Sequence, residues 1–323
     1  MVIQGYSFDF FRNLRGYKYP SELTLEEKNA VRNTFLSEIS KLPIPLRYVP
    51  SYFAQKGEVD SFVEKNLLSM GVSNEDASIL YDDKSKIIIT INDTEHLSFS
   101  GYTLDNPVKK YDELNGYLRI MSEDLAFQKD RNFGYLSSQI PLCGNGFMID
   151  SIVHIPALMN SNKVMYMVNK TMRRPGALLI PYSDKAAASA FFIVRCISKT
   201  EPYKDINFIE NIVSELEVKE RAEAYELGQN QNFMEFLADR VESARNSGRI
   251  STGDFLRTVD DIILFRKIMG DEVQGEKIRN VLIKTQGTNI SNMNFKHNEI
   301  EEYFYSLIFE DKEGLNAWFF KVW

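Results

Sequence analysis

The stretch Ser85–Tyr102, SKIIITINDTEHLSFSGY, decides how this chain is to be folded. Its first part, Ser85-Lys86-Ile87-Ile88-Ile89-Thr90-Ile91, is short and β-branched, which suits a pleated and half-buried surface. Asn92-Asp93 break the run, and Glu95 to Tyr102 reads as a second strand. Two strands joined by so few residues are expected as antiparallel neighbours.

Upstream, Thr24-Leu25-Glu26-Glu27 has the spacing of a capping box, so a helix is expected to about Lys41. Pro43, Pro45 and Pro50 then enforce an extended connection. Downstream, Val108, Tyr111, Leu114, Leu118 and Met121 recur at helical spacing between Asn106 and Phe127. Gly144-Asn145-Gly146 precedes an apolar run read as a helix from Phe147 to about Asn160. Lys163 to Val168, Ala177 to Pro181 and Ser189 to Ser198 read as further strands. Ile206, Ile209, Val213 and Leu216 mark a long helix ending near Leu227-Gly228.

From Gln229 onward the strand signals stop. Phe233, Leu237, Val241 and Ala244 define one helix. Ser251-Thr252-Gly253-Asp254 resembles a capping box opening another, which carries Phe255, Val259, Ile262, Ile263 and Phe265 before Gly270. The expected class is therefore α+β: an antiparallel sheet flanked by helices in residues 1–228, followed by an all-helical domain in residues 229–323.

Composition narrows the function classes. The 323 residues are 44% apolar and 26% charged, an ordinary globular balance. Lys+Arg total 38 against Asp+Glu 45, a net charge of −7 without a basic block, so no nucleic-acid or anionic-membrane surface is expected. Two cysteines, Cys143 and Cys196, are too few for a disulfide framework or a four-thiolate zinc site. The opening MVIQGYSFDFF makes a poor signal peptide, and no apolar run approaches the roughly 20 residues of a spanning helix. A cytoplasmic protein is expected.

Single motifs are weak. Gly144-Asn145-Gly146 could turn backbone N–H groups toward a phosphate, but it lacks GxGxxG and a Walker lysine, and an ordinary tight turn is the stronger reading. His96 and His154 read as structural, hydrogen-bonded histidines, and the three histidines do not stand at metal-ligand spacing, so no metal site is expected. Cys143 has no basic neighbour in sequence and reads as a small buried side chain.

The order of these segments carries more than any one of them. Phe11-Arg12-Asn13-Leu14-Arg15 resembles the end of an S-R-[IV]-R-L-A-R-N-L segment, and Phe62-Val63-Glu64-Lys65-Asn66-Leu67-Leu68-Ser69 resembles L-V-E-K-H-L-I-S. Ile91-Asn92-Asp93-Thr94-Glu95-His96-Leu97-Ser98 resembles V-N-E-E-D-H-L-R. Phe133 to Ser138, running into Gly144-Asn145-Gly146-Phe147-Met148, is similar to G-Y-L-T-S-C-P-T-N-L-G-T-G-L-R, and His154-Ile155-Pro156-Ala157-Leu158 to H-L-P-A-L. This ordered set resembles the phosphagen (guanidino) kinase superfamily, and within it the bacterial protein-arginine kinases of the McsB type. The resemblance implies transfer of the γ-phosphoryl group of Mg·ATP to a guanidinium nitrogen, a step that needs several cationic side chains around the polyphosphate.

Against that pattern the departures stand out. The two arginines of the opening motif fall on Ser7 and Asp9, the arginine ending N-E-E-D-H-L-R on Ser98, and the arginine after G-T-G-L on Met148. A loop arginine falls near Ala177, and the adenine-side histidine on Asn66. On the acceptor side, one glutamate falls on Thr94, the loop glutamate near Tyr182, and the cysteine of T-S-C-P on Gln139. Asp93 and Glu95 flank Thr94, with strand alternation turning Thr94 to the opposite face from both. Arg12, Arg15, Lys84, Lys86 and the pair Arg173-Arg174 are the cations that could stand in.

The expectation is a catalytically degenerate homologue, a pseudokinase that binds or regulates, with no cofactor. Its alternative is an active ATP-dependent protein-arginine phosphotransferase with a remodelled nucleotide site, which would use Mg·ATP. A third possibility is a less anionic ligand in a cleft lined by Phe147, Met148 and Tyr182. By resemblance the partners would be a second copy of the chain, with the helical domain of residues 229–323 as the dimerisation domain, a paralogous arginine kinase, a Clp-type chaperone or phosphoarginine-bearing proteins.

Overall fold

An aromatic–polar alternation at the start of the chain builds the middle of the sheet. Tyr6-Ser7-Phe8-Asp9-Phe10-Phe11 puts Tyr6, Phe8 and Phe10 on one face and Ser7, Asp9 and Phe11 on the other. The computed structural model describes residues 3–65, 72–171, 173–182, 189–199, 201–251, 253–270, 278–280, 284 and 296–309. Strand β1 is Ile3–Arg12; α1 (Leu25–Ile39), β2 (Arg47–Val49), α2 (Lys56–Lys65), β3 (Ser78–Asp82), β4 (Ile87–Ile91), β5 (Leu97–Thr103) and α3 (Pro107–Ser122) follow. Next come β6 (Lys129–Asp130), β7 (Gly134–Tyr135), β8 (Phe147–His154), α4 (Pro156–Asn160), α5 (Val164–Thr171), β9 (Ala177–Pro181) and β10 (Phe191–Ile197). The long α6 (Pro202–Gly228), α7 (Gln231–Asn246), α8 (Phe255–Ile268) and α9 (His297–Phe309) complete the described elements.

Eight strands form one sheet in the order β2-β3-β4-β5-β1-β8-β10-β9, with every neighbouring pair antiparallel. The fold is α+β, an antiparallel sheet flanked by helices with helices after it. β1 pairs with β5 on one side and β8 on the other, which places the chain's first strand at the centre.

One face is almost purely apolar. Phe8, Phe10, Ile87, Ile89, Phe99, Phe147, Ile149 and Val194 are buried there beneath side chains of α1, α3 and α6. Phe10 and Tyr111 both meet the Phe147 ring, with centroids 5.0 and 5.1 Å away. Each such side chain contributes roughly 1.5–3 kcal/mol by leaving water. The opposite face carries a smaller cluster around Ile79, Tyr81, Ile88 and Tyr102, covered in part by Val59 and Phe62 of α2. A further cluster joins Phe191 at the sheet's end to Val241, Phe255, Val259, Ile263 and Phe304 of α7, α8 and α9.

Most sequence-based expectations hold locally. Thr24 caps α1: its hydroxyl accepts the Glu27 N–H at 3.2 Å while Glu27 accepts the Thr24 N–H at 2.8 Å. The hairpin of β4 and β5 forms, α3 starts from an Asn106 cap, and α6 ends at Gly228. Ser251 and Asp254 also bond reciprocally, although the carboxylate faces Ser251 rather than capping α8.

Two assignments reverse. The run expected as a helix from Phe147 is β8, all eight of whose residues are buried; only Pro156–Asn160 is helical. A strand buried on both faces reads as a continuous apolar run, so periodicity could not separate it from a core helix. Conversely, of Lys163 to Val168, expected as a strand, all but Lys163 belong to helix α5, where Met167 and Thr171 are buried and Met165 is exposed. β1 had been assigned no element. Among the described residues, no helix is long and apolar enough to cross a membrane.

Phe147→Ala, which empties the meeting point of Phe8, Phe10 and Tyr111, is expected to cost about 3–5 kcal/mol in urea denaturation. Leu25→Ala, at a side chain 75% exposed, is expected to stay within about 0.5 kcal/mol.

Candidate functional site

Register on the polar face brings together four of the positions singled out by sequence. Asp9 lies opposite Ser100 on β5 and Met148 on β8; Ser7 lies opposite Tyr102 and Asp150; Ser98 lies opposite Phe11. Directly opposed residues share a face, so Ser7, Asp9, Ser98 and Met148 stand on one patch of the central strands. The patch is packed shut: Asp9 and Met148 have no exposure, Ser7 has 2% and Ser98 8%. Met148 sits in an apolar cluster with Phe11, Leu142 and Ile197.

The electrostatics of the patch come from three residues. Asp9 accepts the Ser100 hydroxyl at 2.5 Å. Asp150, fully buried, is paired with Arg195 of β10 through two parallel bonds, Nε to Oδ1 at 2.9 Å and Nη2 to Oδ2 at 2.6 Å. Burial works against the Arg195 charge, but the bonds and charge of Asp150, with Asp9 behind it, hold its pKa above the usual value. Two carboxylates therefore face one guanidinium. At the β5 end, Tyr102 hydrogen-bonds Arg279 and lies under Lys86, whose Nζ is 5.5 Å from the ring centroid.

The other cations considered from sequence are engaged elsewhere. Arg12 is 6% exposed and lies on the helix-covered side, stacked 3.8 Å from the Tyr135 centroid. Its guanidinium donates to the carbonyls of Phe11 at 2.7 Å and Gly146 at 2.8 Å, and burial pushes its pKa down to about 10. Arg15, Lys84 and Arg173 are exposed. Arg174 pairs with the buried Asp205 of α6.

The carboxylates beside Thr94 are equally committed. Residues 92–96 form a turn rather than the start of a strand, and Asn92 has φ 59°, so the alternation expected for Thr94 does not apply. Asp93 Oδ1 accepts the N–H of Ser73 at 3.0 Å, the Ser73 hydroxyl at 2.8 Å and the N–H of Asn74 at 2.7 Å. Glu95, without exposure, accepts from the Asn13 amide, the Ser137 hydroxyl at 2.5 Å, the Ser138 hydroxyl at 2.7 Å and the Ser138 N–H at 3.0 Å. Both oxygens of Glu95 and Oδ1 of Asp93 are thus engaged inside the protein, whereas orienting and deprotonating a guanidinium, whose pKa exceeds about 12, needs a carboxylate turned toward the acceptor.

Neighbouring motifs resolve as structural. Gly146 has φ 57°, and a Cβ there would meet Arg12 Nη1 at 2.4 Å, so glycine lets the turn close over that guanidinium. The Gly144 and Asn145 N–H groups bond the carbonyls of Tyr135 and Ser198, which leaves them unavailable to an anion, and the turn opens a strand rather than a helix. His96 accepts the Leu14 N–H at 2.9 Å and bonds the Lys18 carbonyl at 2.7 Å; burial lowers its pKa. Cys143, expected buried, is only half-buried and accepts the Ser137 N–H at 3.4 Å. Among the described residues, no group of three His, Cys, Asp or Glu is placed to hold a metal ion.

Other positions stand apart from the patch. Gln139 is exposed in the loop before β8, and Tyr182, after β9, packs between the clusters of Tyr102 and Phe191. Phe147 points to the opposite face, so Phe147, Met148 and Tyr182 do not line one apolar cleft. Asn66 lies outside the described residues. Sequence reasoning missed Arg195 and Asp150. They are 45 residues apart, and only strand pairing brings them together.

Comparison with known proteins agrees with this architecture. Residues 27–174 match the family described as ATP:guanido phosphotransferase, C-terminal catalytic domain. The chain is 29% identical over 164 residues to a protein-arginine kinase of Halothermothrix orenii, a match covering 49% of this chain and 46% of that one. With a protein-arginine kinase of Clostridium perfringens it shares 21% over 305 residues, 90% of this chain and 89% of the relative. In its first two matches the chain spans about half the length of those curated relatives. A lombricine kinase structure superposes with TM-score 0.58 at 16% identity, covering 68% of this chain and 66% of that one. A duplicated taurocyamine kinase from Schistosoma mansoni gives 0.57 at 12%, covering 67% and 32%. At such identities the structures show the fold alone.

Arg195→Met leaves Asp150 ionised, buried and unpaired, and is expected to destabilise the protein by about 3–5 kcal/mol in chemical denaturation. Adding Asp150→Leu is expected to restore most of that loss.

Proposed function

Because residues 27–174 match the ATP:guanido phosphotransferase catalytic-domain family, we propose that the chain is a protein-arginine-kinase homologue that has given up phosphoryl transfer and works as a binding or regulatory protein. One observation carries the reading: the patch where the resemblance expects a cationic cradle holds two buried carboxylates and one guanidinium already bonded to one of them. A phosphate charge brought within about 4 Å of Asp9 would meet a repulsion of ~4 kcal/mol at an effective dielectric of ~20. Transition-state charge would find Arg195 already committed to Asp150, and losing one such donor typically costs on the order of 10²- to 10³-fold in rate. The acceptor side adds to this, because Glu95 accepts through both oxygens inside the protein and Asp93 Oδ1 accepts three bonds from Ser73 and Asn74.

No cofactor is needed for this function. A second copy of the chain is the first partner proposed, because α6 presents Val218, Ala222 and Tyr225 along one open stripe, with Val218 and Tyr225 each 70% exposed. A paralogous arginine kinase, a Clp-type chaperone and phosphoarginine-bearing proteins are proposed from the resemblance alone.

Incubation with Mg·ATP and arginine-rich protein, followed by mass spectrometry without acid exposure, tests the reading. No phosphoarginine above the enzyme-free control is expected, on the substrate or on the chain itself. Turnover-dependent phosphoarginine would restore the enzyme.

A further inference from the structure

The strand pair β8 and β10 is tied at two places by different means. Within the strands, Asp150 holds Arg195. At the end where β8 finishes and β10 begins, a carboxylate from the helical layer does the tying. Asp260 of α8 meets His154 Nε2 through Oδ1 at 2.7 Å and accepts the Ala190 N–H through Oδ2 at 2.7 Å. His154 is the last residue of β8, and Ala190 immediately precedes β10. The imidazole also stacks on Phe191, centroids 4.1 Å apart, and Phe191 belongs to the core of α7, α8 and α9. A single side chain therefore clips two central strands to the helices, and the mechanism of the site uses none of it.

We propose that Asp260 is a proton-linked latch, which fastens the ends of β8 and β10 to α8 while His154 and Asp260 share one proton and loosens when that proton leaves. This goes beyond the pseudokinase reading and stands whether or not nucleotide binds.

The surroundings set the charge the latch can bear. His154 is 1% exposed and Asp260 4%. From α7, Arg240 approaches and pairs with the adjacent Asp261 at 2.7 Å; from α8, Arg257 adds a second positive charge. From α6, the fully buried Glu220 faces His154, but it is held by Lys267 of α8 at 3.0 Å and by the N–H groups of Ala157 and Leu158. Burial pushes the His154 pKa down to about 3 and raises that of Asp260 well above the carboxylate range. The folded pair thus avoids both net charges.

The sign of the pH effect follows from counting protons. Between the ordinary Asp value, 3.8, and the ordinary His value, 6.5, the unfolded pair also holds one proton, on His154, so stability is flat there. Above 6.5 the unfolded pair releases it, while burial of Asp260 favours the proton in the folded pair, so docking weakens as pH rises. Burial of Asp261, pushed up to about 7, acts in the same direction between 3.8 and 7.

Hydrogen exchange of the full chain between pH 6 and 8.5 tests the latch, with β1 amides as the internal reference. The Ala190 amide is expected to lose at least tenfold of its relative protection as pH rises in the wild type. Asp260→Asn, which keeps both bonds without a titrating proton, is expected to remove that loss, and Asp261→Asn to keep most of it. An unchanged loss in Asp260→Asn would overturn the proposal. A second readout needs no variant fold: in wild-type NMR spectra the His154 imidazole is expected to stay neutral from pH 5 to 8. An ordinary titration near 6.5 would overturn the latch independently.

Discussion

The Arg195–Asp150 pair sets the terms on which the centre of the sheet can exist. Asp150 has no exposure, so its charge is tolerated only because a guanidinium reaches it through two bonds of good geometry. That guanidinium comes from the neighbouring strand β10, at the residue directly opposite, so the pair also pins the register of β8 and β10. A slip of one residue would turn Arg195 toward the aromatic face and leave Asp150 alone. Asp9 adds a second carboxylate two strands away, and Arg195 feels both.

The same constraint explains the division of the sheet into two unlike faces. Below it, Phe8, Phe10, Phe99 and Phe147 supply most of the apolar burial and need no partner. Above it, Ser7, Asp9, Ser100, Asp150 and Arg195 each need one, and geometry rather than area decides their cost.

How much of this could be read from the chain itself depends on the range of the interaction. The β4–β5 hairpin, the Thr24 capping box and the length of α6 are written within a few residues of one another, and they were legible. β8 was not, because a strand buried on both faces loses the alternation that would mark it, and His154 and Pro156 could end either kind of element. The alternation applied to Thr94 fails for a related reason: the break at Asn92-Asp93 extends through Glu95 and His96, which read as strand, once Asn92 adopts positive φ. At the site, sequence comparison could name the positions that lack arginine. It could not show that Asp150 and Arg195 occupy their surroundings, nor that Glu95 is held by Asn13, Ser137 and Ser138, because those partners lie 42 to 82 residues away.

The account rests on the claim that the polar face has no room, in charge or in space, for a polyphosphate. Calorimetric titration of the intact chain with Mg·ATP and Mg·ADP at modest ionic strength addresses it without assuming any partner or substrate. The account predicts no binding heat and no thermal stabilisation up to millimolar nucleotide. Micromolar binding would contradict it, and would mean that Arg195 exchanges Asp150 for phosphate.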